Sequence, residues 1–86
     1  LLNNAAGAGA SLNLNGVEDS TIINNLIASK YRNGIAMYQA NQTAGTKNNL
    51  VAFNTIVGSA FYAISISGSG STGNKLYNNL MFSQGW

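Results

Sequence analysis

Eighty-six residues suffice for one small domain or for a piece of a larger one. Apolar residues make up 45% of the chain and charged residues 7%, against about 25% charged in an ordinary soluble domain, so an ordered chain with a neutral Asn-, Ser-, Thr- and Gly-rich surface is expected. A net charge of +2 from four scattered cations makes no basic stripe for nucleic acid; the lack of Cys and His removes disulfides, zinc sites built on them and Ser-His-Asp or Cys-His catalysis; and no apolar run approaches the roughly 20 residues of a membrane span.

Taken in chain order, Leu1, Asn4 and Ala6 fit the end of one repeat. Leu12-x-Leu14 is the first short alternating apolar pair, a strand signal. Ser20, Ile22, Asn25 and Ile27 follow, in the order polar-x-apolar-x-x-Asn-x-apolar. The pair returns as Ile35-x-Met37 and the longer pattern as Asn49, Val51, Asn54 and Ile56. A third pass supplies Ile64-x-Ile66, then Asn74, Leu76, Asn79 and Met81. Each coil is therefore predicted to hold three short strands, with inward side chains stacked on like side chains at about 4.8 Å.

The coils differ in length, 23 residues from Leu12 to Ile35 and 29 from Ile35 to Ile64. Most of the difference falls between the alternating pair and the next Ser20, Asn49 or Asn74, in loops of about six, eleven and seven residues, because strands must keep register while loops on one edge grow freely. Function is expected near that edge. An antiparallel meander is the rival arrangement, since Asn15-Gly16 and Asn33-Gly34 are hairpin signals. A meander, however, has no reason to place an Asn at one fixed position relative to three apolar rows.

Between the second and third strands the chain must turn sharply. Asn25, Asn54 and Asn79 suit that corner, because Asn tolerates a left-handed φ, bonds nearby backbone and can bond amide to amide along a stack. They are read as a structural ladder, with Asn24 and Asn78 beside them facing solvent.

The in-register repeats, the Asn corner and the lead-in Gly34-Ile35-Ala36-Met37 resemble the right-handed parallel β-helix superfamily, which includes pectate lyases, other polysaccharide lyases, polygalacturonase-like hydrolases, alginate epimerases and phage tailspikes. The fold expected is all-β, a right-handed parallel β-helix (β-solenoid) of about three to four coils, one segment over residues 1–86 that belongs to a longer solenoid. The start at Leu1-Leu2-Asn3-Asn4, without an initiator Met or a signal peptide, points the same way. The resemblance implies an extracellular, carbohydrate-active protein. Its reading is a polysaccharide lyase or glycoside hydrolase acting on an acidic polysaccharide, with catalytic groups mostly outside these residues. The alternative is a non-catalytic adhesin, spike or spacer. Expected partners are a polysaccharide or oligosaccharide and further coils of the same or a longer chain. The acidic calcium cluster of a pectate lyase and the several Asp of a polygalacturonase are both missing, as the chain holds two carboxylates.

Those two, Glu18 and Asp19, are adjacent, so on extended chain they point to opposite sides instead of converging as an acid/base pair. They are a weak calcium candidate, calcium being the one cofactor considered for the parent protein; a solvated turn is the plainer reading. Lys30 and Arg32 flank Tyr31 ahead of Gly34, and a lyase acting on uronic acids needs a cation for the carboxylate. Tyr38 follows the inward Met37, so alternation turns it outward, beside Asn15 and Ser67, with Asn13, Ala36 and Ser65 in the next row. An aromatic ring among small polar groups predicts a glycan groove made by Tyr38, Lys30, Arg32, Asn13, Asn15, Ser65 and Ser67. Phe53 and Tyr77 are also expected to alternate outward. Asn41-Gln42-Thr43 is a glycosylation sequon, and the Ser67–Gly73 stretch is a loop with no following helix to cradle a phosphate.

Overall fold

The computed structural model of the chain describes residues 9–28, 32–39 and 45–83. Nine strands follow one another among them, with no helix: β1 (Ala10–Asn15), β2 (Thr21–Ile23), β3 (Leu26–Ala28), β4 (Asn33–Tyr38), β5 (Leu50–Ala52), β6 (Thr55–Ser59), β7 (Ile64–Ile66), β8 (Lys75–Tyr77) and β9 (Leu80–Ser83). They build three parallel three-stranded sheets, β1-β4-β7, β2-β5-β8 and β3-β6-β9. Every third strand joins the same sheet, so each of three successive repeats adds one strand to all three. Leu1, Asn4, Ala6 and the sequon Asn41-Gln42-Thr43 lie outside the described residues.

Parallel pairing throughout the three sheets corrects the hairpin alternative. Gly16, at φ 71°, ends β1 and donates its N–H to the Tyr38 carbonyl one repeat further on, at 3.2 Å. Gly34 lies inside β4 and is buried, where an added Cβ would run into Ile56 Cγ2 and the Ala63 carbonyl oxygen. It is glycine for want of space, not for a turn.

The inward rows stack in register as alternation requires. Leu12 pairs with Ile35 and Ile35 with Ile64; Leu14 pairs with Met37 and Met37 with Ile66. The second sheet aligns Ile22, Val51 and Leu76, and the third aligns Ile27, Ile56 and Met81. Burial is complete at Ile35, Met37, Val51 and Ile56 of the middle repeat and at Ile27 of the first, while Leu76 and Met81 of the last repeat stay exposed. A bulge at Gly58, φ 83°, shifts the register between Val57 and Ser59.

The two corners flanking the second sheet share one construction. A residue with left-handed φ comes first and a polar ladder residue second. At the corner before the third sheet the left-handed residues are Asn24 (57°), Phe53 (55°) and Asn78 (52°). Asn25, Asn54 and Asn79 sit one position later, which corrects the expectation that they themselves take that conformation. The N–H and Nδ2 of Asn25 both donate to Asn54 Oδ1 at 3.0 Å. Those of Asn54 donate to Asn79 Oδ1 at 3.0 and 3.1 Å. The Nδ2 atoms of Asn54 and Asn79 also reach the carbonyls of Ile22 and Val51, at 2.9 Å each.

The corner before the second sheet repeats this one step earlier, with Asp19 (53°), Asn48 (58°) and Gly73 (72°) as the left-handed residues. Ser20 donates its N–H to Asn49 Oδ1 at 2.8 Å, and Asn49 donates Nδ2 to Asn74 Oδ1 at 3.0 Å. Sequence reading marked these positions only as polar, yet Asn49 is as buried as Asn54. The signal was present, because Asn49 and Asn74 stand five residues ahead of Asn54 and Asn79.

Candidate functional site

The outward face of the first sheet carries the polar rows. Register sets Asn15 beside Tyr38, and Asn13 beside Ala36 and then Ser65. Ser67 follows β7 and donates its N–H to the Met37 carbonyl at 2.9 Å. A concavity of about 300 Å³ opens on this face, lined by Asn13, Arg32, Tyr38, Ser65 and Ser67 from the expected set. Gly9, Asn33, Ala36 and Gln39 complete it. Asn15 is Tyr38's strand neighbour without lining the hollow. Lys30 lies outside the described residues, as does Tyr31.

Four of the lining side chains are held from below or beside. Asn13 donates Nδ2 to its own strand at the Ala10 carbonyl, 3.2 Å away. Asn33 Oδ1 accepts the Tyr62 N–H at 3.2 Å, and Gln39 Oε1 accepts the Gly70 N–H at 3.1 Å. The last bond ties the Gly-rich loop after β7 to the rim of the hollow. Arg32 is exposed, and its guanidinium stands 4.6 Å from the centre of the Phe61 ring. Stacking of this kind restricts a long cation to one side of the groove while leaving its N–H fork free for a planar anion.

Asn33 and Gln39 were not picked out from sequence. Both sit at the ends of β4, where alternation stops assigning sides.

Thr46 was missed too. It is fully buried where the long loop returns to the stack. Its Oγ1 accepts the N–H of Gly16 at 2.9 Å and of Val17 at 3.3 Å. Its single proton goes to the carbonyl of Leu14 at 2.6 Å or of Tyr38 at 2.9 Å. Thr46 therefore fixes the C-terminal ends of β1 and β4, and with them the backbone that carries Tyr38.

Glu18 and Asp19 lie away from the groove lining. Glu18 forms a parallel bridge with Lys47, and their side chains, each 40% exposed, approach to 3.5 Å. Such a screened pair contributes at most about 1 kcal/mol. Asp19 is one of the left-handed corner residues. Among the described residues no group of three His, Cys, Asp or Glu side chains gathers as a metal site.

A second hollow of about 450 Å³ lies on the outward side of the second sheet, lined in part by Asn48, Lys75 and Tyr77. Among the described residues no helix is long and apolar enough to cross a membrane. No protein-family model, curated protein or solved structure matches the chain.

Proposed function

We propose that this chain is a stretch of a right-handed parallel β-helix from an extracellular carbohydrate-active protein, and that its first-sheet groove binds an acidic polysaccharide. The parallel three-strand repeat supports the fold, and its handedness follows the strong right-handed preference of parallel crossovers. The observation that carries the binding reading is the composition of the groove. A half-buried Tyr38 offers a ring face for the C–H face of a pyranose, Asn13, Ser65 and Ser67 offer neutral donors and acceptors for hydroxyls, and Arg32 offers a two-pronged donor for a uronate carboxylate.

Neither of the chain's carboxylates lines the groove, which favours binding over cleavage by these residues alone. A parent lyase or hydrolase would bring its acid and base from further coils. The second reading, a non-catalytic spike or spacer that holds glycans, rests on the same absence. Polyuronate cleavage by the full-length parent separates the two.

Titration calorimetry with oligogalacturonate and oligoalginate tests the binding itself. Stacking and one exposed ion pair are each modest, so a Kd in the range of about 10 μM to 1 mM is expected. Tyr38→Ala should weaken binding at any salt, and Arg32→Ala should weaken it more at low salt than at high salt. Tyr77→Ala, in the second hollow, should leave it unchanged. Binding that survives both groove variants, or that is lost in Tyr77→Ala alone, would move the site off this face.

A further inference from the structure

The middle repeat breaks the rule of the corner before the third sheet. Where the flanking repeats place Asn24 and Asn78, it places Phe53, at φ 55°. Asn tolerates this conformation because its short amide bonds locally, whereas a bulky aromatic is strained there. The ring recovers little of that strain by packing within the chain, since Phe53 is 59% exposed. Strain retained without an internal benefit marks a residue used outward.

The surface on either side of Phe53 is apolar as well. On the second sheet the outward row nearest the corner is Ile23, Ala52 and Tyr77, with Ala52 itself buried, and the row beyond it is Thr21, Leu50 and Lys75. On the third sheet the outward rows are Leu26, Thr55 and Leu80, then Ala28, Val57 and Phe82. Ile23, Leu26, Val57, Tyr77, Leu80 and Phe82 are all exposed. The small Ala52 and Thr55 flank Phe53 in its own repeat, so the ring stands clear between larger side chains above and below. The outward face of the third sheet thus reverses the polar character of the first. None of the rows nearest the corner carries a charge, and Lys75 stands one row beyond Tyr77.

We propose that this edge, centred on Phe53, is an interface with a second copy of this chain. The seven large side chains expose on the order of 700 Å². That exceeds the largest apolar patch of an ordinary monomer, about 300–600 Å², and comes close to the roughly 800 Å² that each partner contributes to a standard interface. A two-fold contact sets the same patch against itself, and an uncharged patch brings no like charges together when it does so. A sugar fits this surface poorly, because its side chains offer few hydrogen bonds for hydroxyls.

The test is sedimentation of the 86-residue chain between about 1 and 300 μM, a range that brackets the affinity of a small apolar interface. The parent should pass from monomer to dimer. Phe53→Asn installs the residue of the flanking repeats, so its urea midpoint should not fall while its dimer Kd rises at least tenfold. Val57→Lys, which sets two like charges across the two-fold contact, should do the same. Tyr38→Ala should leave dimerisation untouched, which separates this proposal from the glycan reading. A parent that stays monomeric to the top of the range overturns the proposal. So does association, an open-ended ladder from stacking through the exposed Leu76 and Met81 included, that both edge variants leave unchanged.

Discussion

Replacing Asn54 with Leu removes one rung of the amide ladder with little change in side-chain shape, so its cost reports polar satisfaction and not a cavity. Asn54 is 1% exposed and takes part in both directions along the stack. Its Oδ1 accepts the Asn25 N–H and Nδ2, and its Nδ2 donates to the Ile22 carbonyl and to Asn79 Oδ1. Asn25 is exposed, so its amide finds water cheaply, and Asn79 Oδ1 keeps the Asn54 backbone N–H. The Asn25 N–H is then stranded, and the Ile22 carbonyl, which the parallel ladder also pairs with the Ala52 N–H, loses one of its two bonds. At about 1–3 kcal/mol for the stranded donor and about 1 kcal/mol for the lost bond, less about 1 kcal/mol from burying an apolar side chain, the net loss is about 1–3 kcal/mol. With a urea slope near 1 kcal/mol/M for a chain this small, the midpoint should fall by about 1 M or more. Far-UV circular dichroism in urea measures it. A midpoint within about 0.3 M of the parent would refute the ladder as a source of stability.

The same position makes a pH test. Asn54→Asp keeps the acceptors but turns a carboxylate toward the Ile22 carbonyl and Asn79 Oδ1. Burial without a cation raises the folded carboxyl pKa above its unfolded value near 4. The penalty is then absent below the unfolded pKa and grows as pH rises toward the folded one, so this variant should lose more stability at pH 7 than at pH 3.5, relative to the parent.

The remaining expectations concern positions with other chemistry. Thr46→Val keeps the shape but leaves the Val17 N–H without its acceptor and takes a second bond from the Gly16 N–H and the Leu14 carbonyl, and should cost about 2–3 kcal/mol by urea unfolding. The same variant should weaken oligouronate binding by loosening the strand ends beneath Tyr38. Gly34→Ala forces a methyl against Ile56 and the Ala63 carbonyl, and should cost about 2–4 kcal/mol; a neutral result would mean that β4 and the third sheet are not packed this closely.

The repeat, the three strands in each coil, the inward rows and the positions of Asn25, Asn54 and Asn79 were legible in the sequence. Side-chain period and Asn spacing are local properties of a chain, and stacking a repeat on itself leaves a single register that buries every apolar row. The partition between Asn24 and Asn25 was not legible. Two adjacent Asn are equivalent in sequence, and which one turns left-handed depends on which amide finds an acceptor in the next repeat. Thr46 was missed because its partners Gly16, Val17 and Leu14 stand 29 to 32 residues away and only the folded stack brings them beside it. Asn49 was legible as a polar position of the repeat, but its bonds to Val17 and Asn74 were not. Phe53 was read as an outward residue of a strand, but its strain exists only because the flanking corners hold it in register with two asparagines. The groove divides likewise. Alternation placed Tyr38, Asn13 and Ser65 on one face, whereas the stacking of Arg32 on Phe61 and the bond from the Gly70 N–H to Gln39 arise from loops that meet at its rim. Strand periodicity therefore determines what faces inward, and contacts between repeats decide which polar groups are held, strained or left to bind.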